Sequence, residues 1–153
     1  MKIYVDADSC PAEIRNFLLK TSKRLKIEII FAANRSIVKN TLNIKMIICQ
    51  AEKDAADKYI LDNINCTDIA VTRDLLFAQL LVEKGAIVLD YHGRTITKEN
   101  IRNLLSVRDF TISLAENNLL SERKPWYGKK ELKQFADSLD RILHQNKTQQ
   151  SYS

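Results

Sequence analysis

Short apolar runs alternate along this chain with longer segments in which apolar residues recur every three or four positions. Residues 2–6, centred on Ile3 and Val5, predict a strand. Beyond Pro11, the residues Ile14, Phe17, Leu18 and Leu25 follow the spacing of one helix face, with proline at a tolerated first-turn position. Residues 27–32 and 44–49 predict a second and a third strand, joined by the polar connection 34–43. A helix entered from Gln50 ends near Ile64, and residues 68–72 predict a fourth strand. Phe77, Leu80 and Leu81 mark the next helix face, Gly85 ends that helix, and residues 86–89 predict a short fifth strand. After a turn at 90–94, Thr97 caps a helix with Ile101, Leu104 and Leu105 facing inward. Residues 115–128 are polar and punctuated by Pro125 and Gly128; a final amphipathic helix follows, and the last residues are expected to fray.

Strand and helix in alternation predict an α/β fold of three layers, α/β/α, around a mainly parallel sheet of about five strands. The expected organisation is one domain over 1–114, a connecting loop over 115–128, a C-terminal helix over 129–146 packed on the same domain, and a frayed tail at 147–153. The 153 residues, 45% apolar and 28% charged, suffice for one domain with a real core and exclude a disordered or fibrous protein. No apolar run approaches a membrane span and the opening MKIYVDADSC is too short in apolar residues for a signal peptide, so a cytoplasmic location is expected. Cys10, Cys49 and Cys66 are odd in number and lack CxxC spacing, which argues against a disulfide framework or a zinc knuckle.

Charge changes the picture more by its distribution than by its net value of +5. Lys20, Lys23, Arg24 and Lys26 cluster together, Arg35, Lys39 and Lys45 follow, and Arg123, Lys124, Lys129, Lys130 and Lys133 crowd the tail. The acids lie elsewhere. Asp6 and Asp8 stand at the end of the first strand, Asp54 and Asp57 open the helix after the third, and Asp74 opens the helix after the fourth. Each has a plain alternative as a loop residue or helix cap. In a parallel sheet, however, all three handovers fall on one edge, where ligands bind. Two carboxylates about 4 Å apart repel by roughly 4 kcal/mol at an effective dielectric of 20, so such a group implies a bound cation or shifted pKa values. A basic surface with a separate acidic pocket suits a polyanionic substrate. His92 is expected to be a loop histidine, and Trp126 and Tyr127 either to anchor the tail or to stack on a base.

These motifs carry a resemblance. The order VDADSCP at 5–11, DAAD at 54–57, TRD at 72–74 and the proline-aromatic tail at 124–135 resembles the YaiI/YqxD family of bacterial proteins nearly end to end. The family's usual glycine before the tail proline is replaced here by Lys124. More distantly, the three acids resemble those of the PIN/NYN nuclease superfamily. That resemblance implies a PIN-like fold in which Asp6, Asp57 and Asp74 ligate Mg²⁺ or Mn²⁺ for phosphodiester hydrolysis, supported by Asp8, Asp54 and Thr72. Its expected partner is nucleic acid, RNA favoured, met by Lys23, Arg35, Arg73, Lys124, Lys129 and Lys130. Two alternatives remain open: a non-catalytic RNA-binding or regulatory module of the same fold, and a haloacid-dehalogenase-like phosphatase with Asp6 as nucleophile.

Overall fold

The computed structural model describes residues 1–52, 54–119 and 127–151, the last five as backbone. The elements run β1 (Lys2–Asp6), α1 (Ala12–Leu25), β2 (Glu28–Ala33), β3 (Ile44–Ile48), α2 (Ala55–Asn63), β4 (Ile69–Val71), α3 (Leu75–Glu83), β5 (Ile87–Leu89), β6 (Thr95–Ile96), α4 (Ile101–Glu116) and α5 (Lys129–Ser151). They form one six-stranded sheet in the order β3-β2-β1-β4-β5-β6. Five strands are parallel, and β6 pairs antiparallel with β5. The sixth strand exceeds the five expected because two residues carry too little pattern to be recognised.

The strands are apolar on both sides because both sheet faces are covered. Ile3 and Val5 of β1 face one way, with Ile29 and Phe31 of β2, into a core closed by α1 and α5. Tyr4, Ile30, Ala32 and Ala70 face the other way, against α2, α3 and the start of α4. The result is three layers. Each α/β crossover lies on the side that right-handed connection requires: β1 to β2 moves one way through α1, whereas the moves to β4 and β5 run the other way through α2 and α3.

The C-terminal helix belongs to this core: Phe135 and Leu139 of α5 are fully buried, and Phe135 meets Phe17 edge-on at 6.1 Å between ring centroids. Its backbone continues to Ser151, past the end expected at 146. The turn that receives it needs Gly93. There φ is +85°, and a Cβ would stand 2.4 Å from the Gln134 carbonyl oxygen. Tyr127 hydrogen-bonds the Tyr91 carbonyl at 2.9 Å and tilts against His92, so this aromatic anchors the tail; Trp126 lies outside the described residues.

Thr97 and Asn100 cap the entry to α4 reciprocally, each side-chain oxygen accepting from the other's backbone N–H. Only the start of α4 reaches the core, through Ile101, with Leu104 and Leu105 packed partly against it. The helix then continues to Glu116, two residues past the expected loop boundary, with Val107 and Phe110 in solvent.

Candidate active site at the carboxyl edge of the sheet

Strand order reverses its direction of growth at β1. The chain adds β2 and β3 on one side and then crosses to β4 on the other, so the carboxyl ends of β1 and β4 flank a topological switch point. Register fixes what stands there. Val5 pairs with Val71, which sets the next residues, Asp6 and Thr72, side by side, and the Thr72 hydroxyl donates to Asp6 Oδ2 at 3.0 Å. Two-residue periodicity places Asp6 on the same face as Tyr4, the face covered by α2 and α3. Its carboxyl group therefore looks toward the N-termini of those helices.

From those helices come the other acids. Asp57, in the first turn of α2, lines the same cavity as Asp6 and feels its charge. Asp54 occupies the cap position of α2 with a left-handed backbone, φ 64°, and its side chain makes no cap bond. The simple capping explanation therefore fails for Asp54. It holds for Asp74, whose Oδ1 accepts the N–H groups of Leu76 and Phe77 at 3.0 and 3.2 Å. Asp8 Oδ1 accepts the Asn34 N–H at 2.8 Å, tying the loop after β1 to the end of β2. Beneath, the Tyr91 hydroxyl donates to the Asp6 carbonyl at 2.8 Å and holds the strand end from the opposite side.

All five acids line one open cavity of about 780 Å³. Arg73, Lys58 and Arg108 share its wall, and Leu61, Leu76 and Leu80 give it an apolar side. Burial raises the pKa of Asp6, with the Thr72 hydrogen bond opposing and the charges of Asp8 and Asp74 adding to the rise. Asp57 is pushed up to about 7, first by burial and then by the charges of Asp6, Asp74 and Asp54. Near neutral pH Asp57 thus carries a proton part of the time, which eases the repulsion between it and the neighbouring acids.

An all-carboxylate donor set suits a hard divalent cation. Among the described residues, no three acid, histidine or cysteine side chains converge closely enough to hold an ion by themselves. Asp6 and Asp57 could contribute two carboxylates to a Mg²⁺ or Mn²⁺, since Mg²⁺ commonly takes one or two carboxylates and fills its remaining positions with water and substrate phosphate.

The basic residues singled out in the sequence scatter. Arg73 lines the cavity. Arg35 is exposed just beyond β2 on the same edge, and Lys129 and Lys130 are exposed at the start of α5. Lys23 is elsewhere: α1 runs back across the sheet, so its last turn sits at the opposite edge, beside Lys26, Lys39 and the exposed Leu42 in a separate apolar groove. Lys124 lies outside the described residues. Lys58 and Arg108 line the cavity as well, without a pattern in the sequence that marks them for it. Lys58 adjoins Asp57 and was within reach of inspection, whereas Arg108 arrives from α4 only through tertiary packing.

Fold and site together define an α/β protein with an acid-floored, cation-walled cleft at the switch point of its sheet. The family described as "Uncharacterized BCR, YaiI/YqxD family" matches residues 4–145, and the chain belongs to that family. It is 43% identical over 143 residues to a UPF0178 protein of Treponema denticola, covering 94% of this chain and 92% of the relative. It is 38% identical over 144 residues to one of Myxococcus xanthus, covering 94% of each. A third, from Pseudoalteromonas atlantica, is 37% identical over 146 residues, covering 95% of this chain and 99% of the relative. No solved structure matches the chain.

Proposed function

We propose that this protein is a divalent-metal-dependent nuclease that cleaves RNA, with its site in the cleft. The observation that carries the reading is the pair Asp6 and Asp57 in one cavity at the switch point, beside Asp74 and walled by Arg73, Lys58 and Arg108. The resemblance of its three acids to the PIN/NYN superfamily supports the same chemistry. Asp6 and Asp57 hold Mg²⁺ or Mn²⁺; the ion supplies Lewis acidity for phosphodiester hydrolysis.

The chain's own residues do the rest. Thr72, donating to Asp6, fixes the orientation of that carboxylate. Asp74 adds negative charge beside the pair while its other task, capping α3, keeps it in place. Asp8 and Asp54 surround the pair and orient water. Arg73, Lys58 and Arg108 receive phosphate oxygens, and the leucine wall takes the less polar parts of a nucleotide.

The test is cleavage of an end-labelled, mixed-sequence single-stranded RNA by the full chain with Mn²⁺, alongside Asp6→Asn and Asp74→Asn. Cleavage that requires the metal and is lost in Asp6→Asn supports the reading; wild-type rates in that variant contradict it. One observation favours a second reading, a non-catalytic RNA-binding module: no third acid converges with the pair among the described residues. That reading predicts salt-dependent RNA binding without turnover at any Mn²⁺ concentration.

A further inference from the structure

We propose that Tyr91 is a positioning residue for the cleft: from the far face of the sheet it fixes the backbone of Asp6, and through Tyr127 it ties the placement of that carboxylate to the docking of α5. The inference rests on the reading of Asp6 as a metal ligand and adds what holds that ligand still.

At the end of β1 one peptide group decides where the Asp6 side chain points. Strand alternation turns the Ala7 N–H toward β2, where it donates to the Ala32 carbonyl at 2.9 Å. The carbonyl of the same peptide group, that of Asp6, faces the other way, toward β4. That strand ends at Val71, and the next N–H, that of Thr72, turns to the Leu89 carbonyl of β5 at 3.2 Å. The Asp6 carbonyl thus faces the point where the ladder stops, and a buried carbonyl left unpaired there would be costly. The Tyr91 hydroxyl occupies that point and donates to it at 2.8 Å. With both ends of the peptide group bonded, the main-chain torsion that aims the Asp6 carboxyl group is set. Thr72 bonds the tip of the same side chain, so Asp6 is held at base and tip.

Tyr91 is itself held. It is buried in the core closed by α1 and α5, and that burial raises the pKa of its phenol, which therefore stays a donor while the acids titrate. Its turn is braced from within by Asp90, whose Oδ1 accepts the N–H groups of His92 and Arg94 at 2.9 and 2.8 Å. From outside, the Ser138 hydroxyl of α5 donates to the Gly93 carbonyl, and Tyr127, just before α5, donates to the Tyr91 carbonyl at 2.9 Å. Two tyrosine hydroxyls in series therefore connect the start of α5 to the proposed metal ligand. A phenylalanine at 91 would fill the same space; what the hydroxyl adds is the bond to Asp6.

The test is calorimetric titration of the full chain with Mn²⁺, together with amide hydrogen exchange without metal. Tyr91→Phe should weaken Mn²⁺ binding about 10-fold, the usual scale for removing a group that orients a ligand. Tyr127→Phe, one bond further away, should weaken it by less. Leu18→Ala, which opens the same core without touching either hydroxyl, should lower the melting temperature and leave the affinity unchanged. In Tyr91→Phe the Ala7 amide should gain about fivefold in exchange rate over the Val5 amide, the worth of one hydrogen bond lost locally. Saturable binding by the wild type that is matched by Tyr91→Phe, or weakened equally by Leu18→Ala, would overturn the positioning role alone. Equal acceleration at Ala7 and Val5 would do the same, and wild-type affinity in Tyr127→Phe would overturn the link to α5. A wild type that binds no Mn²⁺ would overturn the metal reading, and this inference with it.

Discussion

On the sheet face covered by α1 and α5, Ile14, Leu18, Phe31, Phe135 and Leu139 are fully buried. On the face covered by α2, α3 and α4, the core is equally apolar at its centre, yet its carboxyl edge carries Asp6, Asp54, Asp57 and Asp74. Leu76 and Leu80 also stand half exposed there. The first face lowers the free energy of the fold. The second keeps close acids whose repulsion opposes it, and α5 on the far side helps to offset that cost. Stability and chemistry are thus divided between the two sides of one sheet, and the division can be tested variant by variant.

The largest expected effect is on the first face. Phe135→Ala should remove about 3–5 kcal/mol of unfolding free energy, measured by urea titration, since it empties a fully enclosed aromatic site. Gly93→Ala should cost about 2–3 kcal/mol by the same measurement, because the added Cβ meets the Gln134 carbonyl at a positive φ. If either change proved neutral, the docking of α5 on this face would be wrong.

Changes on the acidic face should run in the opposite direction. Asp57 has a folded-state pKa of about 7, above the ordinary value of 3.8. The folded protein therefore retains a proton that the unfolded chain releases, and this group's contribution to stability falls as pH rises from about 4 to 7. In EDTA at pH 8, Asp57→Asn should raise the melting temperature by about 2–4 °C, a figure already reduced for partial exposure, and by much less at pH 5. A lower melting temperature at pH 8 would show that the acids do not repel as described. The smallest effect belongs to Asp74→Ala, where loss of the α3 cap costs about 1 kcal/mol and relief of repulsion returns part of it.

How far the sequence revealed this division depends on the range of each interaction. Strand and helix identities were visible because burial on two faces leaves continuous apolar runs and helix faces recur every three or four residues. The acids were visible because Asp6 ends a strand, and Asp57 and Asp74 open the helices after later strands, in a chain that adds strands in parallel. What remained hidden was non-local. Arg108 comes to the cleft from α4, β6 consists of two residues recruited by β5, and Lys23 lies at the far edge because α1 runs back before it ends. The double role of Asp74, cap and cavity wall, was also beyond spacing alone, since one spacing serves both.

The most direct test of the cleft's proposed chemistry is calorimetric titration of the full chain with Mn²⁺ near pH 7.5, in two buffers of different ionisation enthalpy. Binding at Asp6 and Asp57 must displace whatever proton Asp57 still holds, so the account predicts saturable binding with fractional proton release. Asp57→Asn should abolish the release and weaken binding, and Asp6→Asn should abolish binding. Saturable binding that survives both substitutions, or no binding by the wild-type chain, would contradict the assignment of this acid pair as the metal site.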